Sequence, residues 1–238
     1  MKEAHGCMGW PEQYFGDNRL LLEHEASGTS IEFCAADALE LWLLKQEPPV
    51  QVKAAGKWKE SHEQDFKTHD VKFLDYDWTF SNDYAGTTRS SADWALSSAN
   101  VDWKLLTARD PILLFADIPL FESELEDNGV ASLSVKIRVM PKCWYILLRF
   151  WLRVDGVLVR LRTTRLFYRF GDACVLREIT HHGGTFKELS AAGAPPEGPV
   201  YRDPDLAASA LGAVAPVGVT LHRREQLALD GKGAESQS

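Results

Sequence analysis

The stretch Ala131–Thr180 constrains the fold more than any other part of the chain. It opens with a period of two: Leu133, Val135, Ile137 and Val139 alternate with Ser134, Lys136 and Arg138. That spacing predicts a strand with one buried face and one wet face. Met140-Pro141 ends it, because proline cannot donate to a sheet ladder. The next run, Cys143–Val154, is apolar on both faces apart from Arg149 and Arg153, and predicts a strand covered on both sides. Asp155-Gly156 then marks a hairpin, since both residues tolerate positive φ, and alternation resumes through Val157, Val159 and Leu161. A turn at Gly171-Asp172 leads to Val175–Thr180. The prediction is a meander of four antiparallel strands.

The same stretch holds ten Lys and Arg against three acids, a net +7 within a chain of net −8, so the remainder stands at −15. One sheet face is therefore cationic. A solvated face balanced by acidic neighbours is the simplest account; a docking surface for an acidic ligand or partner is the sharper one.

Length allows one large domain or two small ones: 238 residues, 45% apolar and 25% charged, the balance of a soluble globular protein. No charged-then-apolar leader is present, and no run reaches the ~18 apolar residues needed to span a bilayer. Cys34, Cys143 and Cys174 lie in apolar or strand-like segments and read as reduced, buried thiols; the spacing of the four cysteines is unpaired. A cytoplasmic location, extending to the nucleus, follows by default. The acidic balance argues against nucleic acid as the main partner.

Taken in order, Met1 to residue 9 reads as disordered. Arg19–Glu25 and Ser30–Cys34 predict two strands around the turn Ser27-Gly28. Asp37 opens a helix of about three turns, stopped by Pro48-Pro49. Val50–Lys53 predicts a short strand and Lys59–Asp70 a surface loop. Asp75–Tyr84 (DYDWTFSNDY) predicts a strand running into a turn at Ala85-Gly86, and Thr87–Ala99 a mobile Ser/Thr-rich segment. Val101–Ala108 predicts one or two helical turns. Residues 190–238 lack the large apolar groups that offset ordering entropy, so a disordered tail is expected, with a transient helix at His222–Leu229. The domain thus spans residues 10–189. Its expected class is α+β, mainly antiparallel β: two packed sheets, sandwich-like, flanked by a few helices.

Catalytic signatures are lacking: no G-x-S-x-G, phosphate-binding Gly loop, H-E-x-x-H or C-x-x-C. No cofactor is implied. Adjacent His181 and His182 would point to opposite faces of a strand, which weighs against joint metal ligation. Asp37 suits a helix N-cap as well as a functional carboxylate. Glu122, Glu124, Glu126 and Asp127 suit paired catalytic acids less well than a solvated loop. The aromatics of DYDWTF suit core packing better than a ligand platform.

Five blocks, in order, carry a resemblance: FGDN at Phe15–Asn18, IEFCAADAL at Ile31–Leu39, DYDWTFSNDYAGT at Asp75–Thr87, LFESELEDNGVASLSVKIRVMP at Leu120–Pro141 and LLRFWLRVDGVLVR at Leu147–Arg160. Together they resemble the TIPRL family, the TOR-signalling-pathway regulator-like or Tap-interacting proteins, from about Trp10 to Glu178. The resemblance implies a non-enzymatic domain of antiparallel sheets that binds catalytic subunits of type 2A-like Ser/Thr protein phosphatases. It further implies restraint of their activity, a cleft for the phosphatase's C-terminal tail, a Tap-type phosphatase-associated protein as a further partner, and a monomer. By position it places partner contacts at Asp37, Val101, Leu161 and Ile179. Asp37 keeps the family's acid and Val101 is a conservative change. Leu161 and Ile179 stand where methionine and tyrosine are frequent, and Thr163 where an acid is usual. The family's longer N-terminal portion, with a Trp-containing strand, is absent here, which leaves a sheet edge expected to be unpaired.

Two other classes compete. A small-molecule-binding β-sandwich, or an enzyme on that scaffold, predicts a closed apolar pocket with convergent polar groups. A nucleic-acid binder predicts aromatics interleaved with Arg on an exposed face, whereas Trp144, Phe150 and Trp151 lie in the doubly apolar strand.

Overall fold

The computed structural model describes residues 10–44, 50, 77–213 and 219–229. Expectations for residues 1–9, 51–53 and 59–70 lie outside the described residues. In chain order the elements are β1 Gln13–Tyr14, β2 Arg19–His24, β3 Thr29–Cys34, α1 Ala35–Leu44, β4 Thr87–Arg89, β5 Ala95–Leu96, α2 Trp103–Leu106 and β6 Leu114–Ser123. There follow β7 Gly129–Met140, β8 Cys143–Val154, β9 Leu158–Arg169, β10 Cys174–Thr185, α3 Phe186–Ala191, a 3-10 turn Pro199–Tyr201, α4 Pro204–Ala213 and β11 Val219–Ala228. Eight strands form one sheet in the order β1-β6-β7-β8-β9-β10-β11-β5, and three form a second, β2-β3-β4. Every pairing is antiparallel.

The expected meander is β7 to β10. Its turns follow from their chemistry: Pro141-Lys142 closes β7–β8, Gly156 takes φ 68° between β8 and β9, and Gly171 takes φ 91° between β9 and β10. Gly129 is required where β7 begins, since a Cβ there would lie 1.9 Å from the Arg153 carbonyl oxygen.

Alternation sorts the large sheet into two faces. On the inner face, Leu133, Val135, Ile137, Ile146, Leu148, Phe150, Leu152 and Leu166 pack against Ile31 and Phe33 of β3 and Ala38, Leu39 and Trp42 of α1. On the outer face two smaller clusters form. Trp151, Val159 and Leu161 pack under Leu189, Tyr201, Ala207 and Leu211; Met140, Cys143 and Phe167 pack under Val101 and Leu106. Strand β8 is thus covered on both sides, as its doubly apolar sequence requires.

Several expectations are corrected. Residues 190–213 carry helical turns, and β11 pairs with β10 from Cys174↔Ala228 to His182↔Val219, so this is no disordered tail and His222–Leu229 forms no helix. A ladder needs backbone on one side and a few apolar contacts, here Leu227 and Leu229, which composition alone underweights. Residues 77–86 form turns and irregular chain; the strand begins at Thr87, inside the segment expected to be mobile. Val50 is buried and lies in no strand. The helix starts at Ala35, so Asp37 sits inside its first turn and accepts the Thr87 hydroxyl hydrogen bond; it is not the cap. Of the thiols, Cys143 is buried and Cys34 and Cys174 are half-buried; all three are free.

Candidate interaction site

Segment Asp77–Tyr84 is drawn onto the inner face by the core. Phe80, at φ 60° and buried, sits edge-on to Trp42 at 5.1 Å and to Phe121 at 5.8 Å. Asn82 donates to the Ala38 carbonyl of α1 at 2.9 Å. The Tyr84 hydroxyl accepts from the Cys34 backbone N–H at 3.1 Å and donates to the Glu32 carbonyl at 3.2 Å. Burial pushes the Cys34 thiol up. Phe80, with Trp78 and Tyr84 packed against the same core, is therefore a plug in the core.

Alternation on β9 aims Arg160 and Arg162 at this segment. Arg160 donates to Ser81 Oγ at 2.8 Å and lies 3.9 Å from the fully buried Asp77. Arg162 donates to the Asn82 carbonyl, lies 3.6 Å from Asp83 and sits over the Phe150 ring at 5.9 Å. His181 Nδ1 is 4.0 Å from the same Asp83 carboxylate, which is 63% exposed.

Beside these groups opens a cavity of about 350 Å³ at the ends of β9 and β10, lined by Leu158, Val159, Arg160, Arg162, the run His181–Thr185, and Glu188 of α3. It forms beyond the last described pair of β10 with β11, His182↔Val219; past it, β10 continues through Gly183 and Gly184 with no described residue paired on that side. A Cβ on Gly183 would meet the Val159 carbonyl oxygen at 2.6 Å, so glycine allows the close strand approach that shapes the wall. Thr185 and Glu188 close the corner with a reciprocal capping box, and those hydrogen bonds hold the Glu188 carboxyl below its usual range. Burial lowers the His182 imidazole, aided by Arg165 and His222, so a neutral ring with an unpartnered Nδ1 faces this end.

The cationic surface of the meander is largely balanced from within. Lys136 pairs with Asp117, Arg149 with Asp205, Arg153 with Asp155, Arg169 with Asp172 and Arg177 with Glu225. Acidic neighbours thus balance that charge, and part of it is buried rather than solvated: the Arg149 and Arg177 side chains are 10% and 9% exposed.

The four residues singled out by resemblance do not gather at one spot. Asp37 is half-buried on α1. Val101 is buried in the small outer cluster near α2. Leu161 is buried on the outer face opposite His182, under the wall of the cavity. Ile179 is buried on the inner face, opposite Thr164 and two residues before His181. The residues that form the cavity's cationic rim, Arg160 and Arg162, were not singled out. Their signal was in the sequence as a complementary pair of spacings: two arginines two apart on β9 and two acids bracketing a buried aromatic plug. Glu122, Glu124, Glu126 and Asp127 lie in or beside an exposed turn. There the Glu12 carboxylate accepts the Glu124 and Glu126 N–H groups. Among the described residues, no three His, Cys, Asp or Glu side chains converge in a way that would hold a metal.

Comparison with known proteins gives this architecture relatives. An Arabidopsis thaliana TIP41-like protein is 42% identical over 214 residues, covering 82% of this chain and 72% of the relative. The Homo sapiens TIP41-like protein is 42% identical over 182 residues, covering 75% and 66%. A Saccharomyces cerevisiae protein named type 2A phosphatase activator TIP41 is 37% identical over 198 residues, covering 76% and 55%. The chain thus spans between about half and three quarters of these relatives' lengths. The TIP41-like family model matches residues 13–190, from β1 into α3. The chain belongs to the TIP41-like family.

Proposed function

We propose that this chain is a non-catalytic regulator of type 2A-like Ser/Thr protein phosphatases, binding their catalytic subunits directly within TOR-linked signalling. Support comes first from kinship: the budding-yeast and fission-yeast relatives are both named type 2A phosphatase activators. The observation that carries the physical reading is the cavity beside β9 and β10, with Arg160, Arg162 and His181 on its inner-face side. Asp83 is exposed there, 3.6 Å from Arg162 and 4.0 Å from His181. An incoming carboxylate on an extended phosphatase tail replaces Asp83 at low cost, because the arginines are already desolvated and oriented. Main-chain groups of β10 past His182, which no described residue pairs on that side, add strand-like hydrogen bonds. Leu161 and Ile179 support the strands that carry this rim, and Asp37 supports α1, to which Asn82 is tied; Val101 belongs to the opposite end.

The test is a pull-down with type 2A, 4 and 6 catalytic subunits, followed by phosphatase activity titrated with the purified protein. Binding to at least one subunit is expected, with Arg162→Glu weakening it by roughly tenfold or more, the scale of a desolvated charge pair. Failure with all three subunits rejects the reading. The sign of the activity change separates restraint from activation.

A further inference from the structure

Strand register gives the cavity beside β9 and β10 a long axis with unlike ends. Three successive rungs of the β9–β10 ladder line it: Arg162 faces His181, Arg160 faces Gly183, and Leu158 faces Thr185. Two residues of extended strand advance about 7 Å, so the three rungs span roughly 13 Å. The first rung holds a guanidinium and an imidazole. In the second, Arg160 lies across from a glycine, so no side chain fills the fourth corner of the block made by Arg160, Arg162 and His181. The third rung is apolar and hydroxylic, and α3 brings the Glu188 carboxylate to it. Thr185 donates to that carboxylate from its N–H and its hydroxyl, at 2.9 Å each, and both bonds end on Oε2. Oε1 takes no part in the capping box. The carboxylates around the cavity outnumber its arginines. Asp77 lies 3.9 Å from Arg160, Asp83 lies 3.6 Å from Arg162, and Glu188 closes the far end. Burial holds the other ring on the wall, His182, neutral. Such a site favours a ligand that brings a positive charge along with its negative one over a net anion.

We propose that this cavity binds a small ω-amino acid: its carboxylate on Arg160 and Arg162 in place of Asp83, its ammonium on Glu188 Oε1, and its methylene chain along Leu158 and the Gly183-Gly184 backbone. The carboxylate end rests on the anion-accepting role proposed for these arginines above; the ammonium end is new and needs no phosphatase. Each end suits its group. Guanidinium forks take a carboxylate through parallel N–H bonds, whereas an ammonium is a compact charge that one free carboxylate oxygen can meet. Length follows from the register. The Arg160 rung stands about 7 Å from the rung beside Glu188, so the two charges must be held apart by several methylenes. An α-amino acid, whose charged groups share one carbon, cannot reach both ends. At about 350 Å³ the cavity stands at the small end of ligand sites, which suits one short chain.

The test is isothermal titration calorimetry of the full chain with 6-aminohexanoate, against hexanoate, hexylamine and alanine as probes that lack one end or the spacing. 6-Aminohexanoate is expected to bind, and each of the other three to bind more weakly by roughly threefold or more, the scale of one exposed charge pair. Glu188→Gln keeps the capping box, which glutamine also closes, and removes only the charge. It should weaken 6-aminohexanoate by the same factor and leave hexanoate unchanged. Arg162→Gln should weaken both, with far-ultraviolet circular dichroism checking that it folds. Hexanoate binding as tightly as 6-aminohexanoate overturns the proposal and leaves the arginines a carboxylate site alone. Unchanged 6-aminohexanoate affinity in Glu188→Gln overturns it, and so does the absence of binding by 6-aminohexanoate. A wild-type chain that captures a phosphatase subunit yet binds no 6-aminohexanoate rejects this inference only; one that binds 6-aminohexanoate and captures no subunit supports it and rejects the phosphatase reading.

Discussion

At the scale of single residues, Glu178 shows how charge is stored on the outer face. Burial works against its ionised form, yet the hydrogen bond from His222 at 3.0 Å, Arg165 at 3.5 Å and Arg224 at 3.3 Å hold it below the ordinary carboxylate range. A carboxyl group depressed in the folded state stabilises fully above its unfolded value, about 4.3. That contribution is lost as pH falls through the lower folded value. Glu178→Gln should therefore lower the urea midpoint at neutral pH and flatten its decline below about pH 5. An acid limb as steep in the variant as in the wild type would show that Glu178 is not its source. Because three partners on two strands share this carboxylate, the substitution also loosens β9 from β11, and the neutral-pH loss should exceed that of an isolated surface pair.

At the scale of elements, β11 is held by more than its ladder. Arg177 of β10 and Glu225 of β11 form a pair at 2.6 Å with side chains 9% and 8% exposed, and the guanidinium lies 3.7 Å from the Trp94 ring. Removing one member leaves the other charged and buried, which costs about 3–5 kcal/mol. Glu225→Ala should lose stability on that scale, whereas Arg177→Met combined with Glu225→Leu should lose much less. Equal losses in chemical denaturation would mean that the pair's net attraction, rather than the penalty of an orphaned charge, sets the effect. This pair also explains which parts of the fold were legible. Strands β7–β10 announce themselves because alternation and turn chemistry are local signals. Strand β11 does not, since His222-Arg223-Arg224-Glu225-Gln226 looks like solvated chain until Arg177 and Trp94 are brought to it from β10 and the loop before β5. The same holds for Arg160 and Arg162. Their alternation was visible, but their role depends on a segment some eighty positions away that the core folds over them. Asp37 was misplaced by two residues because Ala35 and Ala36 carry no capping signal of their own. Val101, Leu161 and Ile179 came by resemblance, and pattern alone marks them only as core.

Across the whole molecule, family kinship and physical domain do not end at the same residue. The family match stops at 190, inside α3, while the sheet ends only at Ala228. A chain cut after residue 190 would lose α4 and with it Ala207 and Leu211, which cover Trp151, Val159 and Leu161 on the outer face. It would also lose β11, exposing the whole edge of β10 and leaving Arg177 without its carboxylate. Each loss alone is several kcal/mol, and a domain of this size has about 5–15 kcal/mol to lose. Truncation after residue 190 should thus give an aggregating or molten chain, with Trp151 fluorescence shifted to the red and no cooperative thermal transition. Restoring residues 191–229 should recover both. A soluble, cooperatively melting 1–190 fragment would show instead that the inner-face core shared by the two sheets is sufficient, and that the outer covering serves binding more than folding. Energetics disfavour the second outcome, because Trp151 and Leu161 sit on the central strands β8 and β9. Uncovering them opens the same two strands on which the inner core depends.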